Sequence, residues 1–484
     1  MKNIISIIFS LFAIAVISSC SDEFLDQEPK GLITPSNFYN TEEDLISGLN
    51  AVYNELPFYF KRTHHVLGSD LADLTRVRAT ETVSSREFPN YFGTSDGRYN
   101  TRLWTGGYQI ISNANAVIEN LVGKENLSEE LKKRADAEAR FFRSLMYYYL
   151  VTYFGDVPLI LSPISSVSEA YSERTSAADV FQQIIDDLMV AKQNLPKNSE
   201  YNGVEVLRPS TGAASMLLAK IYFTQREWDA ALDELNTIIE SDEFALEPNY
   251  KDIWKLSNNL VGQENILEIY FAPGDLNGGQ RSMFQQWRLP RYFFRGWEAT
   301  YASDQLIEKF DTAVDLRYKD IFVHNSFMGE EFAENDRHVP VWKFFDPEAY
   351  DLDIDLKGPY KNNWILFRYA DVLLMKAEAL LETGASDDEV EAYLNQIRNR
   401  AGLDDIDLSG MSMEEKVQEI FDERARELYM EGHRSVDLKN RGAEFFKRHV
   451  EPRLGSEIPE SRLLLPIPSI EVQANPNIIQ NPGY

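Results

Sequence analysis

Apolar residues recur at spacings of three and four over long stretches of the chain. In Glu129 to Tyr153, Ala135, Ala139, Phe142, Leu145, Met146 and Leu150 fall on one face of a 3.6-residue period. Gly155 ends this predicted helix and Pro158 prevents its resumption. Ser176 to Leu195 reads as a second helix, with Val180, Ile184, Leu188 and Ala191 as its stripe and Pro196 as the stop. In "GAASMLLAKIYFTQREWDAALDELNTIIES", Ala219, Tyr222, Trp228, Ala231, Leu235 and Ile238 take the spacings of a tetratricopeptide unit. Such a unit is two antiparallel helices, with small residues where the backbones approach. Trp364 to Arg400 reads as another helical pair around Gly384-Ala385-Ser386. The expected fold is mainly α: tetratricopeptide-like hairpins as a frame, with long irregular loops and a few short strands.

Two stretches break the helical period. Phe58 to Asn100 is rich in Thr, Arg, Asp and aromatic residues, and Pro273 to Pro359 is rich in rings and in Gly or Pro breakers. Loops this long are uncommon in compact domains and are usually functional or disordered. A high aromatic content argues against disorder, so both read as ordered decoration on the frame. One short strand is expected at Glu264 to Phe271, "ENILEIYF".

The amino terminus has another character. Met1-Lys2-Asn3 is followed by a mostly apolar run from Ile4 to Ile17. This run falls short of the roughly 20 residues a transmembrane helix needs, and it has the form of a secretory signal core. It ends at Cys20, the one cysteine of 484 residues. Ile17-Ser18-Ser19-Cys20 resembles a relaxed bacterial lipobox, which implies cleavage before Cys20 and acylation of that residue. Each buried methylene contributes about 0.8 kcal/mol, so several chains on one cysteine hold stably. Residues 1–19 are then the signal peptide and 20–40 the lipidated tether, whose acids Asp22, Glu23, Asp26 and Glu28 resemble a surface-export signal. Residues 41–484 form a single domain: an N-terminal part 41–255, a loop-rich ligand region 256–362 and a C-terminal part 363–484.

Composition narrows the partners. The formal net charge is −29, which repels nucleic acid and anionic lipid headgroups. Contact with the membrane is therefore expected through the lipid anchor alone. The six His residues stand in no metal-ligand pattern, and the adjacent His64-His65 read as a surface loop pair. "DLDID" at 351–355 lacks the glycine and glutamate that an EF-hand loop requires and reads as a solvated acidic turn. The chain shows no G-x-S-x-G and no phosphate loop. No catalytic residue, metal or cofactor is expected.

Several segments, in order, resemble the SusD/RagB-like family of outer-membrane nutrient-binding lipoproteins. They are "SCSDEFLDQEP" at the start, "AEARFFRSLMYYYLVTYFGDVPLI" from Ala137, "ERTSAADVFQQIIDDLMVAKQNLP" from Glu173, "LFRYADVLLMKAEAL" from Leu366, "ERARELYMEGHRSVDLKNRG" from Glu423 and "PIPSIEVQANPNIIQNPGY" from Pro466. The resemblance implies a non-enzymatic, surface-exposed protein that binds a glycan and passes it to a SusC-like TonB-dependent outer-membrane transporter. The motifs themselves read as structural. Glu423 and Arg426 lie one turn apart, as do Arg424 and Glu427, the spacing of helical ion pairs. His433, Arg434 and Asp437 are placed to tie down the turn that follows.

A glycan is held by rings against its C–H faces and by planar polar groups that meet its hydroxyls. The long loops supply both. Ligand candidates are Asp73, Arg76, Arg78, Asn90 and Tyr91 in the first loop, and Trp287, Arg288, Tyr292, Trp297 and Tyr301 in "MFQQWRLPRYFFRGWEATY". Trp342 is expected to join from a third segment. Trp104, Trp228 and Trp254 sit beside apolar helical stretches and are assigned to the core. Two other readings fit the sequence: a peptide cargo within the same family, and a helical-repeat scaffold that binds proteins and has no small-molecule ligand.

Overall fold

Helices that are apolar on nearly every side must lie between other layers. The segment Thr211–Gln225 is one, with buried residues running from Gly212 to Ile221, and Tyr369–Glu382 is another. In the computed structural model both stand inside a continuous helical stack. The structure describes residues 38–61, 66–77, 91, 93–271, 299–322, 326–327, 330–331, 341–346 and 362–484. The expected signal, Cys20 and most of the tether lie outside these residues, as do His64-His65 and the acidic run 351–355.

Eight helices form the frame: α1 (Glu42–Phe60), α2 (Arg98–Asn120), α3 (Glu129–Phe154), α4 (Ala177–Asn194), α5 (Thr211–Gln225), α6 (Trp228–Glu240), α7 (Tyr369–Glu382) and α8 (Asp387–Arg400). Each packs against the next, so consecutive pairs stack as a helical repeat and bury one continuous core. The small residues Ala213, Ala214 and Ala219 are fully buried where α5 lies among its neighbours. Local chemistry sets the ends. Thr41 and Ser386 form capping boxes with Asp44 and Glu389, and Gly155 closes α3 at φ 71°. Trp104 and Trp254 are buried and Trp228 packs on the core, as expected.

The strand expected near Glu264 is β2 (Asn265–Ile269), and its partner corrects the sequence reading. Trp364–Arg368, expected to open a helix, is a strand that pairs antiparallel with β2. The reason is burial: all five residues of "WILFR" are inside, which suits β-branched and aromatic residues in a doubly covered strand. Among the described residues there are two further ribbons, β1 (Thr75–Val77) with β3 (Thr300–Ala302), and β4 (Ser326–Phe327) with β5 (Glu330–Glu331). Trp364–Arg368 is therefore β6.

After α8 the chain forms α9 (Met413–Glu427), α10 (Arg434–Asn440) and α11 (Ala443–Leu454). The C-terminal tail packs back onto the frame. Asn481 Nδ2 donates to the carbonyls of Phe154 (2.9 Å) and Leu465 (2.7 Å), and Arg462 lies 4.1 Å from the centre of the Tyr484 ring. Among the described residues no helix is long and apolar enough to cross a membrane.

Candidate functional site: an exposed ribbon on a buried ionic knot

The motif around α9 builds the base of the site, in a different way from surface ion pairs. Glu423 and Arg426 do pair, at 2.6 Å. Arg424 and Glu427 instead turn to other elements. Arg424 reaches Asp437 (2.8 Å) and Asp371 (2.9 Å). Glu427 meets Arg368 (2.6 Å) and Arg317 (3.1 Å). Both sides of this helix end are buried, so its charges are satisfied across the core rather than along the helix.

The result is an ionic knot. Arg368, the last residue of β6, also binds Glu264 (2.6 Å) and Glu431 (2.6 Å). Arg317 binds Asp315 (2.8 Å) and Glu423 (2.6 Å), Lys343 binds Glu431 (2.6 Å), and Arg400 binds Glu264 (2.8 Å). With Arg426 this makes five cations and five carboxylates, so no charge need be discharged for lack of a partner. Burial alone would raise the Glu423 carboxyl, but Arg317 and Arg426 overcome it and hold the group at about 2. Burial lowers the Lys343 ammonium to about 8, against the opposing pull of Glu431.

The β1–β3 ribbon stands on this base. Arg434 grips Asp73 with two bonds, Nε to Oδ1 at 2.9 Å and Nη2 to Oδ2 at 2.7 Å, two residues before β1 begins. The Asp73 carboxyl is held below its ordinary range, burial being outweighed by Arg434. Just upstream, Gly68 lies against Gly432 so closely that a Cβ would stand 2.0 Å from the Gly432 carbonyl oxygen. Tyr91 donates its hydroxyl to the Leu71 carbonyl and sets its ring edge-on to Phe446 at 5.9 Å. On the far strand, Ser303 N–H donates to the Leu74 carbonyl (2.9 Å), and Ser303 Oγ caps the short helix Asp304–Ile307.

Alternation then decides which side chains face out. Thr75, Thr300 and Ala302 point inward and are buried. Arg76 and Tyr301 are directly opposed in the register, on the outer face. Arg76 Nη2 meets Asp304 Oδ2 at 2.6 Å, with side-chain exposures of 43% and 71%. An exposed pair of this kind contributes only about 0.2–1 kcal/mol, so a ligand can exchange it at little cost. Val77 pairs with Thr300. In the sequence, residues 78–90 follow directly on Val77 and residues 272–298 run up to Ala299. The two ring-bearing stretches of the sequence therefore attach to the frame at neighbouring points.

The structure thus sorts the candidates. Exposed Arg76 and half-buried Tyr301 come together on the outer face of the ribbon. Asp73 and Tyr91 belong to its foot, and Trp342 is buried elsewhere in the core. Asp73 is clamped by Arg434, and Tyr91 ties residue 91 back to Leu71. Trp342 is buried, its backbone N–H donating to the Ile321 carbonyl (2.7 Å) and its ring packed on Phe345 at 4.6 Å. Arg78, Asn90, Trp287, Arg288, Tyr292 and Trp297 lie outside the described residues. Asp304 was not foreseen; the Ser-Asp start of a helix straight after a strand is the signal that marks it. Among the described residues no cluster of His, Cys, Asp and Glu could hold a metal ion.

A frame of stacked helical pairs that carries a small two-stranded ribbon defines a helical-repeat scaffold with an added β-element. The profile of the SusD family matches residues 290–441, and a second profile, described as starch-binding associating with outer membrane, matches residues 23–223. The starch-binding protein SusD of Bacteroides thetaiotaomicron is 30% identical over 430 residues, 74% of each chain. A SusD-like protein of Formosa agariphila is 27% identical over 509 residues, covering 96% of this chain and 97% of its own. A laminarin-binding SusD-like protein of known structure superposes with a TM-score of 0.79 at 26% identity, covering 92% of this chain and 100% of that one. The chain belongs to the SusD family.

Proposed function

We propose that the protein is a surface-exposed outer-membrane lipoprotein, anchored through Cys20, that binds a glycan at the β1–β3 ribbon and delivers it to a SusC-like TonB-dependent transporter. The observation that supports the binding site is the opposition of exposed Arg76 and half-buried Tyr301 on the ribbon's outer face, next to the chain positions where residues 78–90 begin and residues 272–298 end. Tyr301 offers a ring for a sugar's C–H face. Arg76 and Asp304 offer a planar donor fork and a carboxylate acceptor for its hydroxyls, held 2.6 Å apart by each other until a ligand arrives. Trp287, Arg288, Tyr292 and Trp297, with Arg78 and Asn90, complete the proposed contact set. Starch and laminarin, named for two of the relatives, support a glucan as the first class to try.

The test is calorimetric titration of the mature chain with soluble starch, laminarin and a peptide pool. Arg76→Ala and Tyr301→Ala should each weaken glycan binding about tenfold, or about 1.4 kcal/mol. Unchanged affinity in both variants would move the site elsewhere. Binding of peptides in place of glycans would change the cargo.

A further inference from the structure

We propose that the chain carries a second small-molecule site, a preformed groove for an uncharged saccharide, between α2, the loop 158–172 and the C-terminal segment 471–478. The groove shares no residue with the ribbon, and this inference does not depend on the ribbon's function. Its volume is about 620 Å³, within the range of roughly 300–1,000 Å³ usual for ligand sites.

The lining combines rings with uncharged polar groups. Trp104 and Tyr108 stand one turn apart on α2, ring centres 5.1 Å apart, and form one wall. Tyr171 faces the same space from the loop and is 42% exposed, free to lie against a sugar face. Gln109 and Ser112 line it from α2 and Ser162 from the loop. The Ser112 and Ser162 hydroxyls have no hydrogen-bond partner among the described residues, so their capacity is open to a ligand. In a chain of net charge −29, this lining contains no Lys, Arg or Asp. Its one carboxyl, Glu471, is raised from its ordinary range by burial and accepts a hydrogen bond from Trp104. No cation lines the groove to balance an anionic sugar, since Arg143 behind Asn115 is paired with Asp187, and an uncharged sugar needs no balance.

The walls are built in advance of any ligand. Tyr108 Oη donates to the Pro158 carbonyl (2.8 Å), Asn115 Nδ2 to the Ile160 carbonyl (2.9 Å), and the Ile160 N–H to Tyr147 Oη (2.6 Å). On the other side, Asn475 Nδ2 donates to the Ser172 carbonyl (2.8 Å) and Asn477 Nδ2 to the Tyr171 carbonyl (2.6 Å). These bonds meet the ordering cost before binding. They also occupy the loop carbonyls that an added peptide strand would need, which favours a saccharide over an extended peptide.

Hydrogen exchange on the mature chain, with and without millimolar maltoheptaose or laminarihexaose, tests the proposal. Peptides covering 105–112 and 162–172 should gain protection with either sugar. The gain should disappear in Tyr171→Ala and in Gln109→Trp, which fills the groove from an exposed helix position. It should persist in an Arg76→Ala, Tyr301→Ala double variant. Protection confined to 75–77 and 300–304 would overturn the groove and leave the ribbon standing. Protection at neither place would overturn both. Protection of the groove by a partner protein, with none from sugar, would overturn the saccharide reading and assign this face to that partner.

Discussion

Arg317 and Arg76 make the same kind of bond in two settings. Arg317 is fully buried and shared among Asp315, Glu423 and Glu427, while Arg76 meets the single carboxylate of Asp304 in a largely solvated pair. Buried, the bond cannot be exchanged, because taking away one partner strands the others in a medium that will not solvate them. Exposed, it is weak and replaceable, which is what a ligand contact requires. The knot fixes position and the ribbon keeps chemistry available. Arg434 ties the foot of β1 to α9, gripping Asp73 while its Nη1 donates to the Phe421 carbonyl.

The largest test of that contrast is Arg368→Met. It leaves Glu264, Glu427 and Glu431 short of a shared cation, and destabilisation of about 3–5 kcal/mol is expected in denaturant unfolding. Next is acid. Glu423 is held at about 2, below its unfolded value, and Asp73 is lowered as well. Such groups stabilise the fold above their unfolded pKa and lose that contribution as pH falls through the folded one. Unfolding midpoints should therefore drop between about pH 4.5 and 2, with Glu423 alone accounting for about 3 kcal/mol. Glu378 acts in the opposite sense. Burial raises it to about 7, so its contribution declines as pH rises from about 4.5 to 7. Glu378→Gln should flatten the profile in that window.

Gly68→Ala comes third. The added methyl meets the backbone of Gly432, so a loss of about 1–3 kcal/mol should accompany weaker glycan binding as the ribbon's foot is displaced. The smallest effect on stability belongs to the ribbon face. Arg76→Ala should stay within about 0.5 kcal/mol of the parent in unfolding while losing about tenfold in affinity. A large stability loss there would erase the distinction between knot and ribbon.

The helical frame was legible because its signals are local. The stripe of Ala135, Phe142 and Leu150 needs only a period, and Gly155 with Pro158 needs only position. "WILFR" misled because a short apolar run suits strand or helix alike until its partner β2 is known. The candidate residues sorted less cleanly. Asp73 and Tyr91 have the right chemistry for a sugar, but Arg434, 361 positions away from Asp73, had already engaged the carboxylate. The opposition of Arg76 and Tyr301 depends on the register of two strands far apart in sequence, which no local pattern encodes. Of the α9 charges, Glu423 and Arg426 pair as their spacing indicates, but Arg424 and Glu427 do not, for a similar reason: residue spacing shows helical neighbours and cannot show that β6 supplies Arg368.

The most direct measurement of the central claim is a glucan titration of the mature chain beside its Tyr301→Ala variant, with each unfolding midpoint recorded in the same buffer. The account predicts saturable binding in the parent, about tenfold weaker binding in the variant, and midpoints that agree. Equal affinities in two equally stable proteins would contradict it.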